Sequence, residues 1–284
     1  MIRPFIKAIR PQQWVKNLFV GAPLLFSQRL TDPPSVLRGG LAFIAFCFVA
    51  SGVYLLNDLS DRERDQQHPT KKNRPIASGA LSLKAAKWGI VGLWSLAGLL
   101  CLVLGWRFAV PVAAYLIINF FYSFYLRNVP IVDVGIIAFG FLLRVVSGGE
   151  AIGVPLSHWI ILNTFLLAFF MGLGKRYQEL NTHGANSGRA ALAKYSPRLL
   201  KALLYLTAVA TVAGYVAYTL ARQTLLEFGS SWVVLTSIFP AAGILRFLQL
   251  CERKEASPTE AILKDPLFGA IVGFWVILII LLIL

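Results

Sequence analysis

The sequence predicts an all-α integral membrane protein with nine transmembrane helices. Three observations predict it: the composition, the spacing of charge-free stretches and the placement of positive charge. Hydrophobic residues fill 57% of the 284 positions and charged residues only 14%, about half the charged share of an average soluble domain. With a mean hydropathy of +0.68, that balance excludes a soluble globular enzyme, a disordered chain or a nucleic-acid binder of the usual kind. The 27 Lys+Arg against 13 Asp+Glu, a net charge of +14, therefore need another explanation.

Residues 1–16, which are basic and contain Trp14, read as an interfacial amphipathic segment interrupted by Pro11. They show no apolar core or small-residue cleavage site, so no cleavable signal is expected. About 20 helical residues cross a bilayer core. Charge-free stretches of that order fall at 39–57, 88–106, 108–126, 151–174, 202–221, 228–245 and 266–284. Two weaker spans complete the count: 17–28, which is short, and 131–149, which carries Arg144. Of the 27 Lys and Arg, 22 then fall in the N-terminus and in alternate loops, whereas the opposite loops hold only Arg29, Arg38, Arg107 and Arg222. By the positive-inside rule the N-terminus is cytoplasmic. The expectation is a single multi-pass unit, 1–284, in a cell (inner) membrane, with cytoplasmic loops 57–87 and 174–201 carrying the active site. Cys47 and Cys101 lie within spans and Cys251 in a cytoplasmic loop, so no disulfide is expected.

Carboxylates are scarce, yet four fall within Asn57-Asp58-Leu59-Ser60-Asp61-Arg62-Glu63-Arg64-Asp65, at the cytoplasmic end of the second span. Offsets of three and seven put Asp58, Asp61 and Asp65 on one helical face. A divalent cation relieves their repulsion, and carboxylates with the Asn57 amide oxygen are the hard ligands that Mg²⁺ takes together with substrate phosphates. A solvated helix end paired with Arg62 and Arg64 is the plainer alternative. The loop that follows, His68 to Gly79, is punctuated by Pro and Gly and brings Lys71, Lys72 and Arg74. Lys71 and Arg74 beside such a metal make a diphosphate site by electrostatics. Lys72 reads better as positive-inside charge, and His68 as a loop residue bonded to backbone.

The run NDLSDRERDQQHPTKKNRPIASG resembles the first Asp-rich motif of the UbiA-type intramembrane prenyltransferase superfamily, N-D-x-x-D-x-x-x-D followed by H-P-x-K-x-x-R-P, at every fixed position. The N-terminal RPQQWVKN and the nine spans extend the resemblance along the chain. It implies an all-α bundle around a central cavity, Mg²⁺ at the cytoplasmic mouth and a lateral opening for a polyprenyl chain. Where the superfamily keeps a second aspartate motif, this sequence reads Gly174-Lys175-Arg176-Tyr177-Gln178-Glu179-Leu180, two cations and one carboxylate. Together with the segment Pro258 to Asp265, that departure resembles the decaprenyl-phosphate phosphoribosyltransferase branch. The branch implies transfer of 5-phosphoribosyl from phosphoribosyl diphosphate to a polyprenyl phosphate, giving a precursor of a lipid-linked arabinose donor for cell-envelope glycans. On that reading Asp58, Asp61, Lys71 and Arg74 are catalytic, and Asn57, Asp58, Asp61 and Asp65 hold the metal. Lys175, Arg176 and Lys16 are candidates for the sugar 5-phosphate, with Asn17, Tyr122, Tyr177 and Glu179 as further substrate-binding candidates.

Asp133 and Arg144 share one proposed span, three turns apart, and cannot pair on a straight helix. Arg144 reads either as a phosphate clamp or as a structural partner of Glu150 or backbone carbonyls; Asp133 is a candidate for the metal or sugar site. Asn119, Tyr122, Ser123 and Tyr125 resemble a superfamily N-x-x-Y-S pattern, and otherwise read as an interfacial aromatic belt. Two other functions stay open at this point: a prenyltransferase of quinone or lipid synthesis that uses the lipid as diphosphate donor, and a non-catalytic lipid or solute transporter. A homo-oligomer is equally open.

Overall fold

The computed structural model describes residues 2–126, 129–183, 195–229, 231–253 and 265–283. Every element among them is helical: α1 (Ile2–Ile9), a 3₁₀ segment (Pro11–Gly21), α2 (Ala22–Phe26), α3 (Pro33–Ser60), α4 (Arg62–Gln67), α5 (Leu83–Leu104), α6 (Trp106–Phe124), α7 (Val132–Ile152), α8 (His158–His183), α9 (Pro197–Leu220), α10 (Arg222–Phe228), α11 (Ile238–Arg253) and α12 (Pro266–Ile283). Short 3₁₀ turns occupy Lys71–Asn73 and Ser231–Ser237.

The helix starts are written locally. Asp32, Ser82, Ser196 and Asp265 each accept a backbone N–H of the following turn, from Ser35, Ala85, Leu199 and Phe268. Proline occupies the first helical position after Asp32, Ser196 and Asp265, where its missing N–H costs nothing. Asp265 also takes a guanidinium bond of 2.7 Å from Arg246, and that bond with the Phe268 N–H holds its carboxyl below the usual carboxylate range. Stops are equally local: α5 ends at Gly105, whose φ is +96°, and Gly153, φ +70°, separates α7 from α8.

Six helical stretches are long and apolar enough to cross a membrane: Pro33–Ser60, Leu83–Leu104, Val132–Ile152, His158–Asn181, Pro197–Leu220 and Ser231–Glu252. The protein is an integral membrane protein of helices, and the count among the described residues is six against the nine expected. The other three expected spans are helical but differ. Pro266–Leu282 is a shorter apolar helix. The helix α6 carries Arg107 in its first turn and Pro111 inside it. The weak span at 17–28 is an 11-residue 3₁₀ segment running into the five residues of α2. At a rise of about 2.0 Å per 3₁₀ residue and about 1.5 Å per α residue those two together reach about 30 Å, the thickness of a bilayer core. The expected break between spans at 150 lies instead at 153–157.

The chain forms two compact units, one of Met1–Tyr125 with Leu143–Leu156, the other of Leu126–Leu142 with Ser157–Leu284. In the first, α3 is central and packs on α5, α6, α1 and the 3₁₀ segment. Phe46, Phe108 and Tyr115 meet edge to face in its core. Near its start α3 carries Arg38, which donates to the carbonyls of Leu104 and Ala151, at the C-terminal ends of α5 and α7. A cation there satisfies carbonyls that have no helical partner and complements two helix dipoles. In the second unit α8 packs on α9 and α11, and α11 on α12, around Phe170, Leu173, Leu200, Leu204 and Phe247.

A Cβ at Gly148 of α7 would lie 2.0 Å from the backbone oxygen of Val20, so only glycine lets the 3₁₀ segment seat there. Gly148→Ala should lower stability by about 1–3 kcal/mol, the usual cost of overpacking. Gly92→Ala, with nothing within 4 Å, should be neutral or stabilising. Thermal unfolding in detergent compares the two.

Candidate active site

The Asp-rich stretch is a helix that breaks once. The helix α3 carries Asn57 and Asp58 in its last turn, Asp61 sits at the junction, and α4 carries Asp65. Backbone bonds from Asp61 N to Asn57 O and from Asp65 N to Asp61 O keep the helical path. Asp58 and Asp65 are buried, whereas Asp61 is half-buried and pairs with Arg64 at 2.6 Å. Arg74 joins the two buried carboxylates: its Nη1 lies 2.6 Å from Asp65 Oδ2 and 3.1 Å from Asp58 Oδ1. The loop delivers it by burying Ile76 with Leu55, Leu81 and Ala86, and by the bond from Gln66 Nε2 to Ala77 O. His68 Nδ1 accepts from Thr70 N and Lys71 N, the backbone role expected of it.

A second cation reaches the same oxygen. Arg10 Nη2 lies 2.5 Å from Asp58 Oδ1. In the sequence Arg10 is one of the basic residues of the N-terminus and the first residue of RPQQWVKN, and that motif position is its signal. Asp58 Oδ2 is buried and has no hydrogen-bond partner among the described residues. Such an oxygen costs about 1–3 kcal/mol or more when it is left without a donor, and a hard cation satisfies it. Asn57 Oδ1 lies 2.5 Å from the Ser123 hydroxyl, which is also 2.7 Å from Asn119 O, so one proton serves either acceptor. Tyr122 is half-buried in the same turn of α6. No three carboxylate, imidazole or thiolate groups among the described residues converge on one point. The donor set fits Mg²⁺, which is held by one or two carboxylates plus phosphate oxygens and does not need an all-protein cage.

Gly174 to Leu180, expected in a loop, belongs to α8, which runs to His183 with no proline in that stretch and no glycine after Gly174. The helix turns Arg176 inward. Its side chain is 1% exposed, with Nε 2.6 Å from Asp133 Oδ2 and Nη1 2.6 Å from Glu179 Oε2. Tyr195, which nothing in the sequence marked, donates its hydroxyl to Asp133 Oδ1 at 2.7 Å and accepts from Ile131 N at 2.6 Å. Burial, and then the bond to Asp133, raise the Tyr195 hydroxyl above its ordinary pKa and keep it a donor. The expected anion ligand Arg176 and the expected metal-site residue Asp133 are thus each other's buried partners. Lys175 stays half-buried, and Tyr177 packs on the core of the second unit.

Arg144 is also buried, in the first unit. Its Nε donates to Asn17 Oδ1 and its Nη2 to the Tyr115 hydroxyl, each at 2.9 Å, and its guanidinium stacks 4.7 Å from the Tyr115 ring centroid. Asn17 in turn donates to Cys47 Sγ, while Lys16 is half-buried beside it. Of the two readings of Arg144, these contacts match neither Glu150 nor backbone carbonyls as partner. They tie the 3₁₀ segment to α6 and α7. Of the expected Pro258 to Asp265 segment, residues 258–264 lie outside the described residues.

Removing one member of a buried ion pair leaves the other charge uncompensated. Arg176→Met and Asp133→Asn should each cost about 3–5 kcal/mol, and the double variant less than their sum. A double-mutant cycle by thermal or denaturant unfolding checks this.

The sequence pattern described as the UbiA prenyltransferase family matches residues 18–272. A decaprenyl-phosphate phosphoribosyltransferase of Corynebacterium glutamicum is 33% identical over 287 residues, covering 97% of this chain and 85% of its own. One from Mycolicibacterium smegmatis is 33% identical, covering 97% and 91%. In fold, the chain is similar to a UbiA homolog from Archaeoglobus fulgidus bound to GPP and Mg²⁺, with a TM-score of 0.75 at 19% identity and 99% of each chain covered. With the family pattern spanning most of its length, the chain belongs to the UbiA prenyltransferase family.

Proposed function

We propose that this protein transfers the 5-phosphoribosyl group of phosphoribosyl diphosphate to a polyprenyl phosphate, decaprenyl phosphate by analogy with its relatives, and releases diphosphate. The observation that carries the reading is the 33% identity, over 97% of the chain, to proteins named for that activity. The geometry around Asp58 supports it, because a buried carboxylate flanked by guanidinium groups suits a diphosphate bound with a cation.

A phosphate monoester is largely anionic near neutral pH, so the attacking lipid oxygen needs positioning more than a general base. That oxygen forms a bond to C1 of the ribose as the bond from C1 to the diphosphate oxygen breaks, and the diphosphate departs with the electron pair. No side chain is assigned as a covalent nucleophile, and inversion at C1 follows. Asp58, with Asn57, Asp61 and Asp65 as further candidates, would hold a Mg²⁺ ion, which when bound would stabilise the leaving charge electrostatically. Arg74, already bonded to Asp58 and Asp65, takes part of that charge, and Lys71 on the adjoining turn shares the role. In the second unit Lys175 is the cation proposed for the sugar 5-phosphate, with Arg176 and Asp133 as the pair that positions the helix bearing it. The proposed setting is a multi-pass cell membrane protein with this chemistry on the cytoplasmic side.

Purified protein given Mg²⁺, a polyprenyl phosphate and phosphoribosyl diphosphate should yield a lipid carrying pentose phosphate, detected by mass spectrometry. No such product, alongside turnover of a prenyl diphosphate with an aromatic acceptor, overturns the proposal. Asp58→Asn should reduce turnover at least about 10²-fold, as loss of a main electrostatic stabiliser does, with little change in expression. Lys175→Ala should mainly raise the apparent KM for the sugar substrate; a change confined to the lipid dependence would reverse the assignment.

A further inference from the structure

We infer that Arg10 is a positioning residue of this site: a counter-ion seated on one oxygen of Asp58 that opposes a divalent cation arriving alone at the other, and that donates to a diphosphate arriving with the cation. The inference rests on the proposal that a cation binds at Asp58.

Arg10 does not reach Asp58 by chance of a long side chain. It has φ +54° and ψ +63°, a left-handed backbone that a non-glycine residue adopts at a cost of about 1–2 kcal/mol. The conformation is held from both sides. Upstream, the Phe5 ring of α1 lies where a Cβ on Gly89 would be, Ala8 is fully buried, and Ile9 O accepts from Ser51 Oγ at 3.0 Å. Downstream, Trp14 Nε1 donates to the same Ser51 Oγ at 3.1 Å. The guanidinium then stacks over Tyr54, 5.2 Å from its ring centroid, one turn before Asp58 on α3. Backbone strain, two anchors and an aromatic platform all aim one cation at one carboxylate oxygen.

Charge gives the arrangement its consequence. Asp58 and Asp65 against Arg10 and Arg74 make a neutral group of four. A bare divalent cation entering at Asp58 Oδ2 meets two guanidinium charges held on Oδ1. A cation carrying diphosphate brings its own acceptors, to which the Arg10 guanidinium can donate. Without Arg10 the remaining three groups carry one net negative charge, and a bare cation binds more readily.

The test is a titration of Mn²⁺ into the full chain in detergent without substrates, followed by the loss of the free-ion paramagnetic resonance signal. Arg10→Gln should bind Mn²⁺ about tenfold more tightly than wild type, since the entering cation then meets one guanidinium charge beside Asp58 instead of two. Arg10→Lys should stay close to wild type, and Asp58→Asn should abolish the difference. Unchanged or weaker binding by Arg10→Gln overturns the inference. Thermal unfolding without metal gives the second readout: Arg10→Gln should lower the midpoint in the Asp58 protein and have no such effect in Asp58→Asn. If that coupling is present and Mn²⁺ binding ignores Asp58, the metal placement itself fails and the inference with it. Failure to make pentosyl lipid in the assay above, with both readouts as expected, would change the substrate and leave Arg10 in its role.

Discussion

A carboxylate buried at the end of a membrane helix costs several kcal/mol unless an opposite charge or a cation reaches it. In the first unit that constraint is concentrated at Asp58, on the helix against which α1, the 3₁₀ segment, α5 and α6 pack. Arg10 comes to it from the N-terminal side and Arg74 from the loop after α4, so two segments far apart in sequence are fixed by one oxygen. The loop keeps a buried apolar anchor, Ile76, and the N-terminal segment keeps Ala8. Both cations are therefore held by packing before they are held by charge. Such prior organisation is what electrostatic stabilisation of a leaving group requires, since donors already in place need not reorient during the reaction.

The second unit meets the same constraint differently. Arg176, Asp133, Glu179 and Tyr195 close a buried set in which one carboxylate, Asp133, takes a guanidinium on one oxygen and a hydroxyl on the other. Both oxygens of Asp133 are thereby engaged, in contrast to Asp58, one of whose oxygens has no donor among the described residues. A fully satisfied buried carboxylate has no oxygen left over for a ligand, and a half-satisfied one does. The difference separates two aspartates that composition alone treats as equals. Arg144, with Asn17 and Tyr115, is a third buried arginine cluster, and there the guanidinium is matched by neutral oxygens and an aromatic face.

Periodicity and local chemistry carried most of the fold. Proline-preceded caps at Asp32, Ser196 and Asp265 and glycines at 105 and 153 mark helix ends that can be read by eye. The segment at 17–28 is harder to read, because 3₁₀ winding has neither the period of about 3.6 residues nor the rise per residue by which α-helices are counted. Arg176 is hard to read for another reason. A cation three residues before a carboxylate looks alike on a solvated loop and on a helix face, and only knowledge of what lies opposite, here Asp133, distinguishes anion ligand from ion pair.

The sequence by itself determined that this is a membrane protein of helices, where most of them start and stop, and that Asn57 to Asp65 with Lys71 and Arg74 form a charged cluster. Those features depend on hydrophobic run length, cap residues and close spacing along the chain, all of which are local. Tertiary structure alone decided which arginine neutralises which aspartate: Arg10 and Arg74 on Asp58, Arg176 on Asp133, and Tyr115 with Asn17 around Arg144. The energies of these ion pairs and hydrogen bonds depend on distances of a few ångströms between residues up to 127 positions apart, and no pattern along a single chain encodes those distances.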